Sequence, residues 1–143
     1  MLEGRAINGR DLSGGLVEVR CGMTASVYHL TGPRALELRE EPLGGGLLTP
    51  AEIEAVTVYT AISPGTELAA WEGKPPLRPS SPYPRLLGYC NLARVTRVGS
   101  EVAGMGAGDY VLTHQSHRSA FRAPVRECAV IRYGEPTQKR TSG

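Results

Sequence analysis

Ser63, Thr66 and Glu67 put two hydroxyls and a carboxylate within the short span Ser63-Pro64-Gly65-Thr66-Glu67. Further along stand Tyr89-Cys90 and the run His114-Gln115-Ser116-His117. These residue types suit proton transfer: Glu67 as a base, with Tyr89, His114 or His117 as the acid. Cys90 becomes a nucleophile only where a histidine lies beside it; otherwise it is a small buried hydrophobe in a strand. His114 and His117 are three apart. After a strand, odd spacing sends side chains to opposite faces, so the spacing favours surface or pocket hydrogen bonding over a metal site. Trp71, Tyr83 and Tyr89 read either as a pocket wall, with His117, or as aromatics covering the edge of the core.

The elements that position these groups follow from pattern. Val56, Val58, Thr60 and Ile62 alternate with Glu54, Thr57, Tyr59 and Ala61, the signature of a half-buried strand over 51–63. Pro64 suits the first helical position, where its missing N–H costs nothing. Ser63 is a good N-cap, and Glu67 puts a carboxylate in the first turn, where the helix dipole favours it. A helix over 64–71 follows. A polar corner therefore sits where a strand leaves a sheet, which suits either a binding site or simply a well-capped helix start. Other strands are expected over 24–30, 35–40, 87–98 (with a bulge at Gly88), 109–114, 117–123 and 127–133. Between 72 and 84, Pro75, Pro76, Pro79, Pro82 and Pro84 favour extended backbone over regular structure. The set makes a mainly β fold, a partly open antiparallel barrel with one or two short helices. Residues 1–22 read as an N-terminal extension, 23–133 as the barrel domain and 134–143 as a polar tail.

Composition narrows the class. The 143 residues fit one domain, and 18 glycines and 11 prolines favour short strands and turns. A net charge of +2 gives no reason to expect nucleic-acid binding. Cys21, Cys90 and Cys128 are widely spaced and odd in number, which suggests free thiols in a reducing, cytoplasmic setting. No apolar run approaches a membrane span, and the N-terminus has no signal-peptide core.

An ordered set of motifs points further. Ser63-Pro64-Gly65-Thr66-Glu67 is followed by Leu87-Gly88-Tyr89-Cys90, the turn Val98-Gly99-Ser100, and Gly106-Ala107-Gly108-Asp109-Tyr110-Val111. The opening Ser26-Val27-Tyr28-His29-Leu30-Thr31-Gly32-Pro33 and Leu36-Glu37-Leu38-Arg39-Glu40 fits as a first hairpin. Over about Met23 to Pro124 the chain resembles the GroES-like N-terminal domain of the medium-chain dehydrogenase/reductase superfamily, in its Ser-Pro-Gly-Thr-Glu branch.

The resemblance implies the substrate-side domain of an oxidoreductase acting on a small molecule. Ser63, Thr66, Glu67, Tyr89, Cys90 and His114 would form its catalytic corner, with Ser63 or Thr66 relaying a proton to a carbonyl oxygen. Trp71, Tyr83 and His117 would contact the substrate. Catalytic zinc looks lost: the position of one family ligand carries Pro64, beside Ser63, and that of the Gly-His-Glu histidine carries Tyr89. No metal is expected. No Gly-x-Gly-x-x-Gly follows a strand, so the chain alone should hold no cofactor, and NAD(P)H would require a separate Rossmann-type partner. The expected partners are a small-molecule substrate and either a second copy or that cofactor-binding subunit, with neither nucleic acid nor membrane. Two other readings stay open. One is a stand-alone, cofactor-independent enzyme, such as a cyclase, isomerase, dehydratase or hydrolase. The other is a non-catalytic binding or dimerisation module.

Overall fold

The strand leading into the polar corner is β3, Glu52–Thr60, and it is an interior strand, second from one edge, of the larger of two antiparallel sheets. The structure is a computed structural model that describes residues 23–74 and 83–132. β3 is flanked by β7 (Ala120–Pro124) and β5 (Asn91–Val98), and the sheet continues through β6 (Tyr110–Thr113) to β8 (Ala129–Ile131). The smaller sheet runs β2 (Ala35–Pro42), β1 (Thr24–Gly32) and β4 (Arg85–Leu86). Backbone bonds tie the sheets together: the Tyr28 N–H donates to the His117 carbonyl at 3.1 Å, and the Ser119 N–H to the Ser26 carbonyl at 2.9 Å. The result is mainly β, a partly open antiparallel barrel. It has one α-helix among the described residues, α1 (Pro64–Glu72), and a short 3-10 turn at Val125–Glu127.

The core is built by the inward residues of four strands. Ile53 and Ala55 of β3 pack with Ala93 and Val95 of β5, Val111 of β6, and Phe121 and Ala123 of β7, closed by Met105. Phe121, 1% exposed, is the largest fully buried side chain, and its burial contributes about 1.5–3 kcal/mol. A smaller cluster of Ala25, Val27 and Ala120 lies where β1 meets β7.

β3 reverses the phase expected of it. Ile53 and Ala55 face the core, while Val56 and Val58 are 40% and 41% exposed and Ile62 is 72% exposed. The alternation is real, but the flanking strands bury the opposite face. Glu54 is buried despite its charge because Arg97 of β5 and Arg122 of β7 reach over it from both sides. Arg97 grips its carboxylate with two bonds, of 2.9 and 2.6 Å, and Arg122 adds one of 3.0 Å.

Five strands are shorter than expected; those over 51–63 and 109–114 lose only their ends, as β3 and β6, and the other three change more. The strand expected over 87–98 begins only at Asn91, as β5; Leu87–Cys90 has no regular structure and separates it from the two-residue β4. Gly88 there has φ +89, a left-handed conformation that ends pairing instead of bulging it. The strands expected over 117–123 and 127–133 shrink to β7 and β8. His117 and Arg118 serve the junction between the sheets, and the 3-10 turn takes the chain around the corner. Residues 1–22, most of the proline-rich run (75–82), and the tail from 133 lie outside the described residues.

Candidate functional site

Helix α1 starts as its sequence requires, with one exchange of roles. Pro64 is its first residue, Ser63 takes the N-cap position, and Gly73 ends it at φ +72. The Ser63 hydroxyl makes no capping bond. Glu67 caps instead: its Oε1 accepts the Ser63 N–H at 2.9 Å. This turns the carboxylate inward, and Glu67 is only 7% exposed where a first-turn carboxylate would ordinarily be solvated.

The other carboxylate oxygen meets His117. Oε2 of Glu67 lies 2.8 Å from Nε2 of His117, which is 8% exposed. A carboxylate only accepts, so the bond places the imidazole proton on Nε2 and leaves Nδ1 with a lone pair. Among the described residues Nδ1 makes no hydrogen bond, so this nitrogen is not committed to a partner there.

Three features fix the imidazole. The backbone N–H of His117 donates to the Leu87 carbonyl at 2.8 Å, while the His117 backbone carbonyl accepts from the Tyr28 N–H. The neighbouring Ser116 carbonyl accepts from Nδ2 of Asn91 at 3.3 Å; that asparagine is fully buried and also donates to the Thr57 hydroxyl at 2.9 Å. Gly88 lies flat against the ring: a β-carbon there would come within 2.7–2.8 Å of three ring atoms. Asn91 and Leu87 were not singled out in the sequence, and Gly88 was read only as a bulge. A lone asparagine opening a β-rich run was the one available signal for a buried polar support.

The dyad lies on the wall of a cleft of about 580 Å³ between α1 and the smaller sheet. Leu36, Ile62, Pro64, Leu68, Trp71 and Leu87 make it apolar; Tyr28 and Thr60 add hydroxyls. The outward apolar face of the β1–β2 hairpin thus finds its use. Leu36 is 41% exposed because it faces this opening and not a core.

Tyr89, Cys90 and His114 go elsewhere. They line a second, larger cleft of about 810 Å³ with Thr113, Gln115, Arg126, Glu127 and Cys128. His114 is exposed and donates from Nδ1 to the Tyr89 carbonyl at 3.2 Å. Cys90 is exposed; Cys128 is half-buried, and burial, with Glu127 beside it, pushes its thiol pKa up. Ser63 and Thr66 line neither cleft, and the Tyr83 hydroxyl donates to the Ala70 carbonyl at 2.9 Å, bracing the end of α1. The structure therefore joins Glu67, His117 and Trp71 and separates them from Tyr89, Cys90 and His114.

The sequence matches no family profile and no curated protein. Solved structures do match. A mutant enoyl thioester reductase from Candida tropicalis superposes with a TM-score of 0.63 at 20% identity, over 77% of this chain and 34% of that one. An oxidoreductase/dehydrogenase of unknown specificity from Escherichia coli gives 0.61 at 16% identity, over 78% and 41%. A putative zinc-binding dehydrogenase from Sinorhizobium meliloti, bound to NADP, gives 0.58 at 14% identity, over 78% and 39%. The fold is medium-chain dehydrogenase/reductase-like. At these identities the likeness is one of fold, and the chain spans between a third and about two-fifths of the length of the structures it matches.

Neither group that this fold suggests fits the described residues. Zinc needs a closely set donor group, and no three His, Cys, Asp or Glu side chains cluster among them. Pro64 and Tyr89, at the positions of two family ligands, line different clefts. A dinucleotide needs a strand, a glycine-rich turn and a helix in succession within a parallel sheet, whereas every strand pairing here is antiparallel. No helix among the described residues is long and apolar enough to cross a membrane.

Proposed function

We propose that this chain is the substrate-side domain of a medium-chain dehydrogenase/reductase-like oxidoreductase. It works without catalytic zinc and with its nicotinamide held outside the described residues. The observation that carries this reading is the buried His117–Glu67 pair on the wall of an apolar cleft, in a fold shared with oxidoreductases. A small apolar substrate would occupy the cleft beside Trp71, with His117 as the proton-handling group and Glu67 as its orienting partner. A related 2-enoyl thioester reductase, Etr1p, has been solved with NADP and crotonyl-CoA, which makes a nicotinamide the cofactor to test. In this reading Ser63, Thr66 and Tyr83 support α1 beside the cleft, and Tyr89, Cys90 and His114, which line the other cleft, do not act on this substrate.

A partner is part of the proposal. Val56, Val58, Tyr110 and Leu112 leave apolar surface exposed on the larger sheet, which a second copy or a cofactor-binding subunit would cover. One solved neighbour is the Etr1p/Etr2p heterodimer. The barrel domain at 23–133, flanked by an extension and a tail in a cytoplasmic protein, completes the reading.

A stand-alone, cofactor-independent enzyme is the second reading, favoured by the same dyad, since a carboxylate–imidazole pair moves protons with neither metal nor nicotinamide. A thermal-shift titration of the 143-residue chain with NADPH and NADH, read beside light scattering, separates the two. A saturable rise in Tm supports the oxidoreductase. No rise in a stable homodimer favours the stand-alone enzyme, and no rise in a monomer favours a missing cofactor subunit.

A further inference from the structure

In the Glu67–His117 pair, one imidazole nitrogen is committed to the carboxylate and the other is open. Glu67 accepts from Nε2 at 2.8 Å and is itself held by the Ser63 N–H at 2.9 Å. It can neither swing away nor change which nitrogen carries the proton without breaking a buried bond. Gly88 on the ring face and the two backbone bonds of His117 block rotation of the imidazole. The free nitrogen is thus preset as a base, and a carboxylate stands ready behind it to stabilise the imidazolium once a proton arrives.

The surroundings of that base select its substrate. Leu36, Ile62, Leu68 and Leu87 with Trp71 present apolar surface, and among the described residues neither lysine nor arginine lines the cleft, so those residues offer no cation for a charged head group. Tyr28 and Thr60 line the same cleft, and neither hydroxyl makes a hydrogen bond among the described residues. They are free to donate to an oxygen on which negative charge develops.

We infer that His117, oriented by Glu67, abstracts a proton from the carbon next to the carbonyl of an uncharged apolar ketone, and that this chain does so without nicotinamide or metal. The inference rests on the cleft being the small-molecule site of the proposed function, and not on hydride transfer. In the step, the Nδ1 lone pair takes the α-proton. The C–H electron pair becomes the C=C bond of an enolate, and the carbonyl π pair moves onto oxygen, where Tyr28 or Thr60 donates to it. The imidazolium then returns a proton to carbon. Nothing is oxidised or reduced, and in heavy water the returned proton is a deuteron.

The test uses the 143-residue chain and 2-tetralone, an apolar ketone with acidic α-hydrogens. Trp71 is the only tryptophan, so its fluorescence reports entry into this cleft directly. Loss of the α-proton signals by NMR in heavy water, without nicotinamide, reports the chemistry. The expected result is saturable quenching of Trp71 together with exchange on the order of 100-fold above buffer at the same acidity. H117N should abolish the exchange and keep the quenching, and E67Q should lower the exchange roughly tenfold with little change in quenching. If H117N fails to fold, E67Q and the wild-type pair of readouts still decide. Quenching without exchange overturns the role of His117 as a base. Exchange that survives H117N does the same. No quenching overturns the assignment of an apolar ketone to the cleft. Failure of the oxidoreductase reading shows separately, as a stable homodimer whose Tm does not respond to NADPH.

Discussion

The two clefts hold similar side chains and use them in opposite ways. In the cleft at α1, His117 and Glu67 are buried, bonded to each other and fixed by backbone on either side. In the cleft beneath β6 and β8, His114 and Cys90 are exposed, and His114 bonds only a backbone carbonyl. The second is the larger, at about 810 against 580 Å³. Size is therefore a poor guide to chemistry here. A titratable group becomes a defined catalyst when its partner and geometry are fixed, and burial fixes both because an unpaired polar group in the interior is costly.

The comparison breaks most directly at the dyad. Glu67→Ala leaves the His117 Nε2–H and the Ser63 N–H without their acceptor in a buried site. It should lower stability by about 3 kcal/mol in urea unfolding. A loss under about 1 kcal/mol would mean that the pair is solvated after all and the two clefts are alike.

Gly88→Ala is next. It adds a β-carbon within 2.7–2.8 Å of the His117 ring at a φ of +89. It should cost about 2 kcal/mol and shift the imidazole NMR signals of His117 while sparing those of His114. Movement of the His114 signals instead would place the strain in the other cleft.

One acid-sensitive group lies outside both clefts. Arg97, then Arg122, hold the Glu54 carboxyl below its usual range against the opposing effect of burial. The folded value lies below the unfolded one, so this stabilisation is present above about pH 4.5 and is lost as the pH falls through the depressed folded value. Urea midpoints measured downward from pH 5 should fall in the wild type, and Glu54→Gln should be less stable at neutral pH and flatter below pH 4.5. A slope unchanged by the substitution would move the acid-sensitive group elsewhere.

His114→Ala should have the smallest effect, within about 0.5 kcal/mol, because an exposed side chain with one backbone bond contributes little. A loss comparable to that of Glu67→Ala would erase the distinction between the clefts.

Much of the fold was legible in sequence because it rests on local rules. Alternation marked β3, Pro64 marked the start of α1, and the spacing of turn residues marked an antiparallel β fold. The face of β3 was not legible. Ile53 and Val56 are equally apolar, and only the flanking β5 and β7 decide which of them is buried. Gly88 showed its glycine but not its reason, since the ring it admits belongs to a residue 29 positions on.

The candidate site divides along the same line. The sequence by itself determined the ingredients: a carboxylate in the first turn of a proline-started helix, histidines at the facing ends of two expected strands, and aromatics around a proline-rich stretch. Local sequence suffices there because caps, turns and strand alternation depend on neighbours within a few residues. Only the tertiary structure decided that Glu67 meets His117, 50 positions away, and that His114 does not. That choice depends on how the two sheets join: the backbone bond between Tyr28 and His117 turns one histidine inward, and the end of β6 leaves the other facing solvent.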